Sequence, residues 1–170
     1  MKLISDGYLA LQLELHKNPD YGTTGAGSRI WKFTDSRDVL DYGCGKKTFA
    51  RGLGFSIQNY DPCVEGCNDR EPAELVVCTD VMEHIEPEFL DAVLADMASL
   101  TLDLCYMTIA THPAIKTLAD GRNAHLIQQD AKWWLERISE HFDIDGCILW
   151  PRGFEVLARR RFYERSKVLY

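Results

Sequence analysis

The run Val39-Leu40-Asp41-Tyr42-Gly43-Cys44-Gly45 constrains this chain more than any other stretch. An apolar strand ends in an acid, and two glycines alternate before KKTFARGLG (46–54), a short helix stopped by Gly54. Glycine reaches backbone conformations closed to other residues and lets a backbone approach a ligand closely. A helix beginning just beyond offers unpaired N–H groups at its start. Such strand–glycine–helix turns belong to α/β folds with parallel strands.

The flanking sequence agrees. FSIQNYD (55–61), AELVVCTD (73–80) and LDLCYMTIA (102–110) read as strands. EPEFLDAVLADMASL (86–100) is an amphipathic helix with Leu90, Val93, Leu94, Met97 and Leu100 on one face. DAKWWLERISEHF (130–142) is a second, capped by Asp130 and burying Trp134, Ile138 and Phe142, with Trp133 turned outward. IDGCILW (144–150) and FEVLARRRF (154–162), joined at Pro151-Arg152-Gly153, must form an antiparallel hairpin. Before the core, residues 5–16 form a helix with Leu9/Leu13 and Leu11/Leu15 stacked at i, i+4, and 18–28 form a glycine-rich loop. The expectation is one domain over 1–170, with a helix and loop (1–34) covering the site and a core over 35–165.

Composition excludes several classes. With 19 basic and 26 acidic residues the net charge is −7, which argues against a general grip on duplex DNA. No run approaches the roughly 18 apolar residues of a membrane span, and the N-terminus lacks the apolar core of a signal peptide. Cys44, Cys78, Cys105 and Cys147 lie in or beside apolar runs and read as buried, reduced thiols, which places the chain in the cytoplasm. Cys63 and Cys67 have no second pair at zinc spacing.

A second acid, Asp61, ends the next strand 20 residues after Asp41. A carboxylate there can accept both hydroxyls of a ribose, as in dinucleotide folds. With this pair in place the chain resembles the class I S-adenosylmethionine-dependent methyltransferases. VLDYGCGKK matches their acid-x-Gly-x-Gly-x-Gly motif, IQNYD their ribose-holding strand, and ELVVCTDVMEHIEP their fourth-strand motif. The resemblance spans roughly 35–165. It implies a Rossmann-like, mostly parallel α/β sheet of about six strands, with an antiparallel C-terminal strand and helices on both faces. It implies S-adenosylmethionine as cofactor, held by Tyr21, Asp41, Gly43, Cys44, Gly45, Asp61, Thr79 and Asp80. Two features depart from the family. Lys47 stands where the third glycine belongs. Only residues 62–73 separate Asp61 from the next strand, so the region between the family's strands two and four is cut down, and the acid that reads adenine falls to Asp69 or Glu71.

The reaction such a cofactor supports needs an aligned nucleophile and, for an alcohol or amine, a base. His84, His112 and His125 are the candidates. Glu83-His84 reads first as a helix-start cap and supporting pair. Asp80-x-x-Glu83-His84 with His125 also resembles the ligand set of the small-RNA 3′-terminal 2′-O-methyltransferases, with Asp80 in place of their Glu. That resemblance implies a divalent metal on Asp80, Glu83, His84 and His125, a mixed N/O set suited to Mg, Mn or Fe. The metal-free reading is preferred.

Loops carrying His16, Tyr21, Gly22 and Gly25, and His112, Lys116, Asp120, Arg122, Asn123 and His125, are expected to wall the substrate site. The segment 152–167 holds six basic residues against two acids and reads first as a solvated edge strand, second as a phosphate contact. The expected acceptor is an O or N nucleophile of a small molecule, nucleotide or sugar. An RNA end is the alternative, and a non-catalytic cofactor-binding scaffold the third reading. A second copy of the chain is the expected protein partner.

Overall fold

The computed structural model describes residues 2–23 and 28–161. Six strands form one sheet: β1 (Val39–Tyr42), β2 (Gln58–Tyr60), β3 (Ala73–Thr79), β4 (Thr101–Ala110), β5 (Phe142–Trp150) and β6 (Gly153–Arg160), in the order β2-β1-β3-β4-β6-β5. β1 to β4 are parallel, and β6 runs antiparallel to both β4 and β5. This is the expected mostly parallel sheet with an antiparallel end. β2 is an edge, because residues 61–72 form a turn and an extended link and add no strand.

Period-two side-chain alternation divides the core between the two faces. Val39, Leu75, Val77, Leu104 and Tyr106 point to one face and pack with Ile30 and Phe49. Leu40, Val76, Cys78, Cys105 and Met107 point to the other, against the helices α3 (Leu90–Leu100) and α4 (Ala131–His141). α3 buries the predicted face, Leu90, Val93, Leu94, Met97 and Leu100. α4 starts where Asp130 accepts a hydrogen bond from Trp133 N at 2.9 Å, and it buries Trp134 and Ile138.

Several elements differ from expectation. The helix over 46–54 contracts to α2 (Thr48–Arg51). Lys47, at the third-glycine position, nevertheless takes the left-handed conformation (φ 57°) that glycine favours. The motif's backbone path thus survives at a strain of roughly 1–2 kcal/mol. α1 (Asp6–Leu15) buries Tyr8 and Gln12, while Leu13 is exposed, because α1 faces a polar site rather than a sheet. β5 begins at Phe142, directly where α4 ends. Cys147 is exposed, since only the β6 side of β5 is paired and the strand extends past the core. The basic strand is β6, interior to the sheet, and β5 is the edge. Arg159 pairs with Asp145 at 2.8 Å and with Asp103, and Arg161 with Asp143 at 2.9 Å. Phe162, Glu164, Arg165 and Lys167 lie outside the described residues, as does Gly25. Among the described residues no helix is long and apolar enough to cross a membrane.

Trp134 is fully buried whereas its neighbour Trp133 is only partly covered. Trp134→Ala is expected to cost about 3–5 kcal/mol, and Trp133→Ala less than half as much. Urea unfolding of the two variants checks this.

Candidate active site

The C-terminal ends of β2, β1, β3 and β4 share one edge, and the chain leaves each of them into a loop. Those loops, with α1 and the segment after it, enclose a cavity of about 450 Å³. That lies within the roughly 300–1,000 Å³ of small-molecule sites. Sheet order arranges its lining: Tyr60 and Asp61 after β2, Tyr42 and Gly43 after β1, Thr79 and Asp80 after β3, and His112 after β4.

At the β2 end the Asp61 carboxylate faces the glycine turn. Its Oδ2 accepts from Gly45 N at 3.0 Å and its Oδ1 from Cys63 N at 2.8 Å. Gly43 N and Cys44 N both donate to Tyr60 O, at 2.7 and 3.0 Å. Gly43 and Gly45 have positive φ, 82° and 47°. A Cβ on Gly43 would stand 2.4 Å from a Val81 methyl carbon, and one on Gly45 2.6 Å from Gly22 O. The close approach these glycines permit is therefore to the chain's own Val81 and Gly22. Asp41 is buried beneath the turn and does not line the cavity. Burial, then the nearby Asp61 charge, pushes its carboxyl up to about 7.

At the β3–β4 end three imidazoles converge. Each donates Nδ1–H to a backbone carbonyl: His84 to Ala124 at 2.7 Å, His125 to His112 at 2.6 Å, and His112 to Arg152 at 2.8 Å. The neutral rings therefore carry their lone pairs on Nε2. The rings of His84 and His125 lie 4.7 Å apart, and those of His112 and His125 5.5 Å. Burial and then His125 lower His84 to about 4; burial also lowers His125, against the opposing hydrogen bond to the His112 carbonyl. Behind them Glu83 is fully buried. One oxygen accepts from Ala110 N at 3.1 Å, the other has no hydrogen-bond partner, and burial raises the carboxyl to about 8. Glu83, His84 and His125 offer ligand atoms within 4.8 Å of one another. Asp80 is not in that group. It holds a left-handed φ of 54°, and its Oδ1 accepts from Thr108 Oγ1 at 3.3 Å. Non-glycine residues in this conformation concentrate at functional sites.

A protein-family model described as a methyltransferase domain matches residues 16–160. The chain belongs to the methyltransferase domain family. Among solved structures it is similar to DhpI in its SAH complex, with 15% identity, a TM-score of 0.66, and coverage of 92% of this chain and 98% of DhpI. It is similar to the 1,6-didemethyltoxoflavin-N1-methyltransferase of Burkholderia thailandensis at 15% identity and a TM-score of 0.54, covering 73% and 71% of the two chains. The magnesium protoporphyrin IX methyltransferase of Synechocystis gives 18%, 0.52, and coverage of 73% and 74%. At these identities the likeness establishes the fold. No curated protein sequence matches the chain.

In this methyltransferase the cavity brings together most of the predicted site: Tyr21, Gly43, Cys44, Gly45, Asp61, Thr79, Asp80, His84, His112 and His125. His16, Gly22 and Lys116 also line it, whereas Asp120, Arg122 and Asn123 do not. Asn123 instead shapes its loop, its side chain accepting from Ala114 N and donating to Ala114 O. Arg122 pairs with Asp120 at 2.8 Å. Asp69 and Glu71, the two candidates for reading adenine, are exposed and away from the cavity, because the link after β2 turns outward there. Sequence reasoning missed Leu3, Ile4, Tyr8, Gln12, Val81, Ile85 and Glu86. Tyr8, Gln12 and His16 lie at i, i+4, i+8, so a polar stripe on α1 was the available signal. Gln12 Nε2 donates to Tyr8 Oη at 2.5 Å, Tyr8 donates to His84 O at 2.5 Å, and Tyr21 donates to Gln12 Oε1 at 3.0 Å.

Because Asp41 binds its proton more tightly when folded, the folded state loses stability as pH rises from the ordinary carboxyl range through about 7. Asp41→Asn should melt above wild type at pH 8, and the gap should shrink toward pH 4. Thermal melts of both proteins across that range check this.

Proposed function

We propose that this methyltransferase moves a methyl group from S-adenosylmethionine to an oxygen or nitrogen nucleophile of a small molecule, nucleotide or sugar. One observation carries the reading: a single cavity joins the Asp61–glycine-turn end to the three histidines. The donor set at the first end suits a nucleoside. Asp61, held by two N–H groups, keeps lone pairs for two ribose hydroxyls. The cofactor supplies a sulfonium-activated methyl group. The chain's own residues hold the acceptor in line and take its proton. His125 is the preferred base: it lines the cavity, its Nδ1–H is committed to the His112 carbonyl, and burial favours the neutral ring. His84 supports it from deeper in the wall, and His112 orients it through the carbonyl that fixes its tautomer. Thr79, Asp80 and Tyr21 complete the proposed cofactor site, and Asp41 supports the turn from below. The buried free thiols of Cys44, Cys63, Cys67, Cys78 and Cys105 suit a reducing cytoplasmic setting. Exposed Ile148, Leu149 and Trp150 on edge strand β5 are the surface a second copy would use.

Calorimetry with S-adenosylmethionine and S-adenosylhomocysteine tests the reading. Wild type should bind both, and Asp61→Ala should weaken binding at least about tenfold. His125→Ala should leave S-adenosylhomocysteine affinity within about threefold while lowering turnover by roughly 10²–10⁴. Absence of binding to either molecule would overturn the reading, whereas binding without turnover would leave a cofactor-binding scaffold.

A second reading rests on the unpartnered Glu83 oxygen beside His84 and His125. These three side chains would hold a divalent ion, with both histidines already oriented through their Nδ1–H bonds. The ion would lower the pKa of an acceptor hydroxyl, which suits the 2′-oxygen of an RNA end. Under this reading EDTA abolishes turnover, Mn²⁺ restores it, and Glu83→Gln weakens Mn²⁺ binding in calorimetry. Turnover unaffected by EDTA rejects it.

A further inference from the structure

The N-terminal segment adds an apolar stretch to the cavity wall, anchored beside the loop after β3. Leu3 and Ile4 line the cavity together with Tyr42, Tyr60 and Val93. Leu3 packs on the same core cluster that holds those three residues. The segment is latched. Ser5 N donates to Glu86 Oε2 at 2.8 Å and Ser5 Oγ to Glu86 Oε1 at 2.6 Å, while Ser5 Oγ also accepts from Tyr8 N to cap α1. Glu86 is only 7% exposed, and the two partners are 81 residues apart.

Asp61 fixes where a sugar would sit. From it, the polar histidines extend toward β4, while Tyr42 and Tyr60 at the ends of β1 and β2 belong to one apolar cluster with Val93, on which Leu3 packs, and Leu3 and Ile4 share the cavity lining with them. A flat, weakly polar purine matches the apolar wall, and the charged amino-acid part of the cofactor matches the polar end. We infer that Leu3 and Ile4, held in place by the latch of Ser5 onto Glu86, form the base-side wall of the cofactor pocket, with Glu86 as its positioning residue. The inference rests on the cofactor reading above and adds where the purine lies and what closes over it. Cofactor binding and docking of the N-terminus are then one linked equilibrium: a ligand that contacts the docked segment stabilises it, and loosening the latch weakens the ligand by the same factor.

The experiment measures S-adenosylhomocysteine and 5′-methylthioadenosine binding by calorimetry for wild type, Ser5→Ala, Glu86→Ala and Glu86→Gln. Amide hydrogen exchange is followed over residues 3–12 with and without ligand. The expected result is a loss of about tenfold in Glu86→Ala, the same for both ligands because they share the adenosine part. Glu86→Gln, which keeps one acceptor oxygen, should recover part of it. Ligand should slow exchange over residues 3–12 in wild type and much less in Ser5→Ala. Ser5→Ala keeps the result readable should Glu86→Ala fail to fold. Two outcomes overturn the inference while leaving the cofactor reading intact. One is wild-type binding with unchanged affinity in the latch variants; the other is a loss confined to S-adenosylhomocysteine, which would put the segment at the amino-acid end. Wild type that binds neither ligand overturns the cofactor reading, and this inference with it.

Discussion

Everything at the working edge of this sheet depends on how two N–H groups hold the Asp61 carboxylate. Gly45 N comes from the turn after β1 and Cys63 N from the turn after β2, and one side chain accepts from both. Gly43 N and Cys44 N reinforce the junction by donating to Tyr60 O. Four donors from two loops thus converge on the end of one three-residue edge strand. Such a strand has little pairing of its own to hold its tip in place. The clasp supplies that, and charge-assisted bonds to a carboxylate are roughly twice as strong as neutral ones. Asp41, beneath the same turn, resists ionising first because it is buried, and second because its charge would sit close to Asp61.

The histidine end follows a different logic. A backbone carbonyl takes the Nδ1 proton of each ring, so the tautomer is decided by chain geometry and does not await a ligand. Burial opposes protonation, as does the proximity of one ring to the next. For His84 and His125 the result is a pair of rings biased toward the neutral form. Such rings can take a proton or ligate a cation, and the unpartnered oxygen of Glu83 behind them keeps the second use chemically available.

How far the sequence foretold this depends on how local each feature is. The alternation of Leu75 to Cys78 and of Leu104 to Met107 between the two faces is written in adjacent residues, so the sheet was legible. Asp61 was legible because a glycine turn and an acid at the tip of the next strand form a pattern of fixed spacing. Lys47 was the instructive departure: the residue changed and the backbone conformation did not. What stayed hidden needed contacts across the chain. Nothing near Gly45 announces that Gly22 will press against it, and nothing near Glu86 names Ser5. The same distance hid the role of α1. Its leucines suggested an apolar face, yet Tyr8 and Gln12 are what it buries, because it docks on the loop after β3 and not on the sheet. Cys147 and the basic strand β6 were misplaced for a related reason. Strand order is set by which edges pair, and alternation within a strand does not report it.

The shortened link after β2 shows how a fold closes without an element. Where a further strand and helices would cover the flank, Arg70 lies over the Tyr60 ring at 4.3 Å and forks onto Asp96 of α3 at 2.8 and 2.7 Å. Tyr42 donates to the same carboxylate at 2.9 Å. This ties β1, β2 and α3 together with one guanidinium, one carboxylate and two adjoining phenol rings tilted against each other, half-buried and therefore less screened than a surface pair. The network stiffens Tyr42 and Tyr60 from behind while their other sides line the cavity. A wall built this way needs only side chains already at the strand ends. That is why 11 residues suffice between Asp61 and β3.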